Sequence, residues 1–112
     1  MRLYARKMNL INIIRLRNPW LLFHSDILCV LPKSTILVHD GLGVVIGKNV
    51  KIGENCKIYQ GVTIGSNPRG EGTVIIGNNV KIFPYCVITG NIVISDNSII
   101  RAYSFIDKDV RK

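Results

Sequence analysis

A large aliphatic residue returns at every sixth position over the last two thirds of the chain. The series reads Ile46, Ile52, Ile58, Ile64, then Ile76, Ile82, Ile88, Ile94, Ile100 and Ile106. The slot at position 70 is the one gap, and it falls within residues 66–73. Four places after the isoleucines stand small or medium residues: Val50, Cys56, Val62, Val80, Cys86, Ile92, Ser98, Ser104 and Val110. Fixed spacing with a fixed slot pattern is the mark of a repeat architecture. A helix, at 3.6 residues per turn, would carry the isoleucine off its face.

Short strands joined by tight corners do fit this period. Each hexapeptide then makes one side of a flat coil, with both slots pointing inward onto the coils above and below. Gly and Asn would take the corner angles that most residues avoid. Three hexapeptides close one triangular coil, so residues eighteen apart should stack: Ile46 on Ile64, Ile82 and Ile100. The fold class is therefore an all-β repeat, a parallel β-helix.

The run Ile52-Gly-Glu-Asn-Cys-Lys-Ile-Tyr-Gln-Gly-Val-Thr-Ile-Gly65 resembles the hexapeptide-repeat acyltransferases, specifically their serine acetyltransferase-like branch. The preceding His39-Asp-Gly-Leu-Gly-Val-Val-Ile46 resembles the His-containing, Gly-rich segment of that branch, and Asp26-Ile27 resembles the pair that opens its first coil. The resemblance implies a left-handed β-helix, a hand opposite to the usual crossover. It also implies a homotrimer with active sites between subunits, and acetyl-CoA as the acyl donor.

Taken in order, the chain divides into residues 1–24, a basic amphipathic segment, and residues 25–112, the β-helix. In the first, Leu3, Tyr4, Met8, Leu10, Ile11 and Ile14 fall at helical spacing, with Arg2, Arg6, Lys7, Arg15 and Arg17 largely opposite. Pro19 should end this short N-terminal α-helix. Such a helix can bind an anionic membrane surface or cap the open end of the coils. The need to bury Trp20, Leu21, Leu22 and Phe23 favours the cap. The apolar run is too short and broken to span a membrane, and no signal-peptide pattern is present.

The 47% apolar content, with 20% charged residues, argues against disorder. A net charge of +8 favours an anionic partner. No aromatic-basic recognition motif accompanies it, so nucleic acid is not expected. The odd cysteine count, with Cys56 and Cys86 in inward slots, reads as small apolar fillers in a reducing compartment, hence a cytoplasmic protein.

Within the resemblance, His39 is the candidate catalytic base. Acetyl transfer to a hydroxyl needs a group of near-neutral pKa to take the proton as oxygen attacks the thioester, and histidine is that group. His39 stands four places before Gly43, where the branch has three; strict spacing would put Asp40 there instead. Asp40 would stay solvated, orient a neighbouring subunit's histidine or bind substrate, and the resemblance implies that Asp26 holds the acceptor and orients the base. The structural alternatives are a corner residue for His39 and a simple turn for Asp26.

The acetyl-CoA candidates are Gly65, Ser66 and Arg69 in the Gly-rich interruption, and Ala102 on a later coil. Flexible glycines let backbone amides approach a ligand, and Arg69 could meet a phosphate. The interruption equally suits two ordinary hexapeptides between Ile64 and Ile76. Thr73 stands where serine acetyltransferases proper carry a second histidine. Phe83-Pro84-Tyr85 and Arg101-Ala102-Tyr103 stand where the family has Gly-Ala-Gly along the pantetheine arm, and the chain stops at Lys112 without the usual tail.

The expected function is an acetyl-CoA-dependent O-acetyltransferase acting on a small hydroxyl acceptor, serine or a sugar. The alternative is a non-catalytic trimeric scaffold whose aromatics fill the groove. A metal-dependent hydratase of the γ-carbonic-anhydrase type needs three histidines around zinc, and the repeats hold one, so no metal is expected.

Overall fold

The computed structural model describes residues 24–111. The helix expected at the N-terminus, with its capping or membrane role, lies outside them. Each hexapeptide contributes one short strand, because its β-branched residues suit a pleated surface and its Gly and Asn residues suit the corners. The twelve strands are β1 (Asp26–Ile27), β2 (Ile36–Leu37), β3 (Val45–Ile46), β4 (Val50–Ile52), β5 (Lys57–Ile58), β6 (Thr63–Gly65), β7 (Val74–Ile76), β8 (Lys81–Ile82), β9 (Val87–Thr89), β10 (Ile92–Ile94), β11 (Ile99–Ile100) and β12 (Phe105–Ile106).

They form three parallel sheets, ordered β1-β3-β6-β9-β12, β2-β5-β8-β11 and β4-β7-β10. From β2 onward successive strands visit the three sheets in turn, so the chain winds as a parallel β-helix. Both inward slots behave as the repeat requires. Ile46, Ile58, Ile64, Ile76, Ile82, Ile88 and Ile94 are fully buried, as are Val62, Val80, Cys56 and Cys86. Each buried isoleucine contributes about 1.5–3 kcal/mol by leaving water. In the last coil the core thins: Ile106 and Val110 are only partly buried against it.

The corners repeat one backbone conformation three places after the isoleucine. Asn55, Gly61, Asn79, Tyr85, Asn97 and Tyr103 all have φ between 58° and 73°. Asn and Gly enter this left-handed region at little cost, whereas a tyrosine there is uncommon.

The stacking register corrects one expectation. Ile46 pairs with Ile64 as the eighteen-residue rule requires. Ile64 then pairs with Ile88, one hexapeptide further on. Ile82 and Ile100 belong to a different column, beneath Leu37 and Ile58. The physical reason is the interruption at residues 66–73, which leaves the coil as a loop and contributes no side. The reading of two ordinary hexapeptides between Ile64 and Ile76 is thereby overturned.

Asn67 organises that loop. Its side-chain oxygen accepts from the amides of Arg69 at 2.9 Å and Glu71 at 3.0 Å. Its carbonyl accepts from Gly70 N at 2.8 Å. Gly72 brings the chain back at φ +92°, directly over Gly90 of the next coil at φ +118°.

Candidate functional site

His39 sits in a 3₁₀ turn, Val38–Gly41, at the corner between β2 and β3. The turn is irregular: His39 (φ 54°) and Asp40 (φ 59°) are both left-handed, and Gly41 follows at φ 75°. A Cβ on Gly41 would come to 3.3 Å from Leu37 Cδ1, and its φ of +75° is one that side chains rarely adopt. The turn closes with Leu42 N donating to His39 O at 3.2 Å and Val44 N to Gly41 O at 2.9 Å. Both His39 and Asp40 are exposed. His39 thus stands exposed at a coil corner.

Asp26 occupies β1 on the adjoining sheet, where its neighbour Ile27 points into the core and Asp26 points out. It pairs with Val45, just after the turn. β1, the register of the first coil and the His39 turn therefore meet at one end of one sheet.

The corner carrying His39 continues down the helix axis through residues 59–61, 83–85 and 101–103. Leu42 O accepts Gly61 N, Gln60 O accepts Tyr85 N and Pro84 O accepts Tyr103 N, which fixes the alignment. Tyr59 and Phe83 pack at a 4.8 Å centroid distance, with Lys57 Nζ 5.5 Å above the Tyr59 ring. Tyr85 and Tyr103 stack at 5.4 Å and 17°. A Cβ on Gly61 would collide with Tyr85 Cδ1 and Cε1. Tyr85 therefore fills the groove beside Gly61, and Ala102 lies exposed at the end of this aromatic corner.

Gly65, Ser66 and Arg69 stand at the opposite edge of the β1-β3-β6-β9-β12 sheet, between β6 and β7. Here the surface is open: nothing lies within 4 Å of where a Cβ would stand on Gly65 or Gly70. Ser66 O accepts from Thr89 Oγ1 at 2.8 Å, which ties the loop's root to the next coil. Arg69 is highly exposed and lies 3.9 Å from Glu71 of its own loop. Within a single chain His39 and Asp40 share one turn, Asp26 pairs with Val45 beyond it, and Gly65, Ser66 and Arg69 follow β6 on the other side of the sheet.

The pattern match follows this geometry. The bacterial transferase hexapeptide family (six repeats) matches residues 43–67 and 73–108. The chain belongs to that family. The break in the match coincides with the loop that leaves the coil. Among relatives of this hexapeptide chain, the serine acetyltransferase of Synechococcus elongatus is 39% identical over 77 residues, which is 67% of this chain and 32% of that protein. The serine acetyltransferase of Staphylococcus xylosus is 42% identical over 73 residues, 63% of this chain and 34% of that one. The chain spans about a third of the length of the curated relatives it matches. Serine acetyltransferase 1 of Entamoeba histolytica, in complex with L-cysteine, superimposes with a TM-score of 0.49 at 28% identity, over 80% of this chain and 37% of that one.

The sequence reading missed His24. Its Nε2 lies 2.7 Å from the Asp40 carbonyl oxygen, and its side chain is 9% exposed. No periodic signal could have found it, because it precedes the first repeat and meets Asp40 only through the register of β1 on β3. The cysteines are the fillers expected. All three are buried free thiols, and burial pushes the Cys29 thiol up to about 11. Among the described residues no helix is long and apolar enough to cross a membrane.

Proposed function

We propose that this chain forms the catalytic β-helix of an acetyl-CoA-dependent O-acetyltransferase acting on a small hydroxyl acceptor, serine or a sugar. The observation that carries the proposal is the exposed His39 on a left-handed corner turn, in a chain whose relatives are serine acetyltransferases. His39 takes the acceptor's hydroxyl proton as its oxygen attacks the acetyl carbonyl, and returns that proton to the departing thiolate. Asp26 and Asp40 flank the acceptor. Backbone amides near Gly65 and Ser66 hold the developing oxyanion, and Arg69 meets a phosphate of the donor. Bound acetyl-CoA supplies the activated thioester.

The coils wind left-handed in this reading, and the protein works as a homotrimer. The reason for the trimer is geometric: the base and the donor loop stand on opposite edges of one sheet, so a neighbouring subunit must bring its loop to His39. The three free thiols suit the cytoplasm. Replacement of His39 by alanine should lower kcat by about 10²- to 10⁴-fold while light scattering still reports a trimer. Unchanged turnover in that variant would remove His39 as the base.

A second reading, a non-catalytic trimeric scaffold, is favoured by one observation: the Tyr85 ring fills the corner above Gly61. Calorimetry separates the two. Acetyl-CoA binding near a micromolar constant, about −8 kcal/mol, supports the transferase. No heat of binding to an assembled trimer supports the scaffold.

A further inference from the structure

Two consecutive non-glycine residues in the left-handed region are costly. His39 and Asp40 form such a pair, and the bond closing their turn, Leu42 N to His39 O, is long at 3.2 Å. Further support comes from outside the turn. His24 grips it at two points: its backbone carbonyl accepts from Gly43 N, and its Nε2 donates to Asp40 O at 2.7 Å. The same nitrogen lies 4.0 Å from the Asp40 carboxylate.

The ring's hydrogen bonding is one-sided. A nitrogen facing a carbonyl oxygen must carry the proton, so the neutral ring is the Nε2–H tautomer and Nδ1 keeps its lone pair. That Nδ1 is buried and has no hydrogen-bond partner. An orphaned buried acceptor is destabilising. A phenyl ring would fill the same space without that penalty, so packing alone does not account for histidine here. The Nε2 bond to Asp40 does.

We infer that His24 is a positioning residue for His39: it locks the left-handed turn so that the His39 imidazole is held at the corner in one orientation. This rests on the reading of His39 as the base.

The test uses the full chain with three variants. In His24→Gln the amide nitrogen can stand where Nε2 stands. In His24→Asn the amide is too short to reach Asp40 O, and His24→Phe keeps volume without a donor. The Phe and Asn variants should lose about a hundredfold in kcat, with KM for acetyl-CoA within about twofold of the parent, while Gln keeps most of the rate. Long-range ¹H–¹⁵N NMR of the unsubstituted chain should report His24 as the Nε2–H tautomer. Backbone shifts of residues 39–41 should move in Phe and stay in Gln. An Nδ1–H tautomer, or parental kcat in the Phe variant, overturns the inference. If His39→Ala keeps its activity, the base reading fails, and the tautomer and the 39–41 shifts still judge the clamp alone. Unmoved shifts in Phe beside an inactive His39→Ala sink His24 and leave the base standing.

Discussion

Gly77 follows the inward Ile76, and its lack of a side chain is what lets the next coil approach. A Cβ there would lie 2.7 Å from the Asp96 amide nitrogen, and closer still to the carboxylate oxygen that accepts Asn78 N at 2.7 Å. Backbone cannot give way cheaply, so Gly77→Ala should cost about 1–3 kcal/mol in urea denaturation. Gly65 occupies the equivalent slot after Ile64, and nothing lies within 4 Å of its missing Cβ. Gly65→Ala should therefore change stability by less than about 0.5 kcal/mol. If the two variants unfold at the same urea concentration, the open edge at Gly65 is not open. The same slot thus carries two meanings, close packing in one coil and a vacant surface in another. The hexapeptide pattern writes both as Gly after Ile.

At the scale of an element, the loop over residues 66–73 is an insertion into an otherwise regular coil. Removing residues 66–71 would leave Gly65-Gly72-Thr73-Val74, with Gly72 returning in the slot that Gly90 fills one coil later. The shortened chain should keep its circular dichroism and melt within about 5 °C of the parent, because the loop's bonds through Asn67 are mostly internal. Its affinity for acetyl-CoA should fall by about tenfold or more if Arg69 and the Gly65 edge hold the donor. A collapsed melting transition would mean that the loop supports the coil after all. The loop was legible in the sequence as a missing isoleucine flanked by turn formers. Its consequence for register was not, since six residues can make a coil side or leave it, and only hydrogen bonding decides. The aromatic corner was visible as residues, but not as a stack: Tyr85 and Tyr103 meet because their αL corners align one coil apart.

For the molecule as a whole, stability in a stacked repeat is a sum over neighbouring coils, so end coils open first. β12 ends its sheet, with only β9 beside it. Around it Ile99, Tyr103 and Phe105 are more than half exposed. The amides of Lys57, Tyr59 and Thr63, which donate to Val80, Ile82 and Cys86, should be the slowest to exchange. Those of Val87 and Ser95, which donate to Ser104 and Val110 in the last turn, should exchange about tenfold faster or more. A reversed or flat gradient in native-state hydrogen exchange would contradict a coil-by-coil core.

The period of six and the composition of its slots point to a parallel β-helix, because a helix of 3.6 residues per turn loses the isoleucine from its face while short strands with Gly and Asn corners after each one keep it inward. They also name the buried residues almost one by one. What the spacing could not contain was anything set across coils. The loop shifts the columns, Tyr85 covers Gly61, and His24 reaches Asp40 from a distant point in the chain. Each of these depends on which coil lies against which, and that is fixed by hydrogen bonds between strands far apart in sequence.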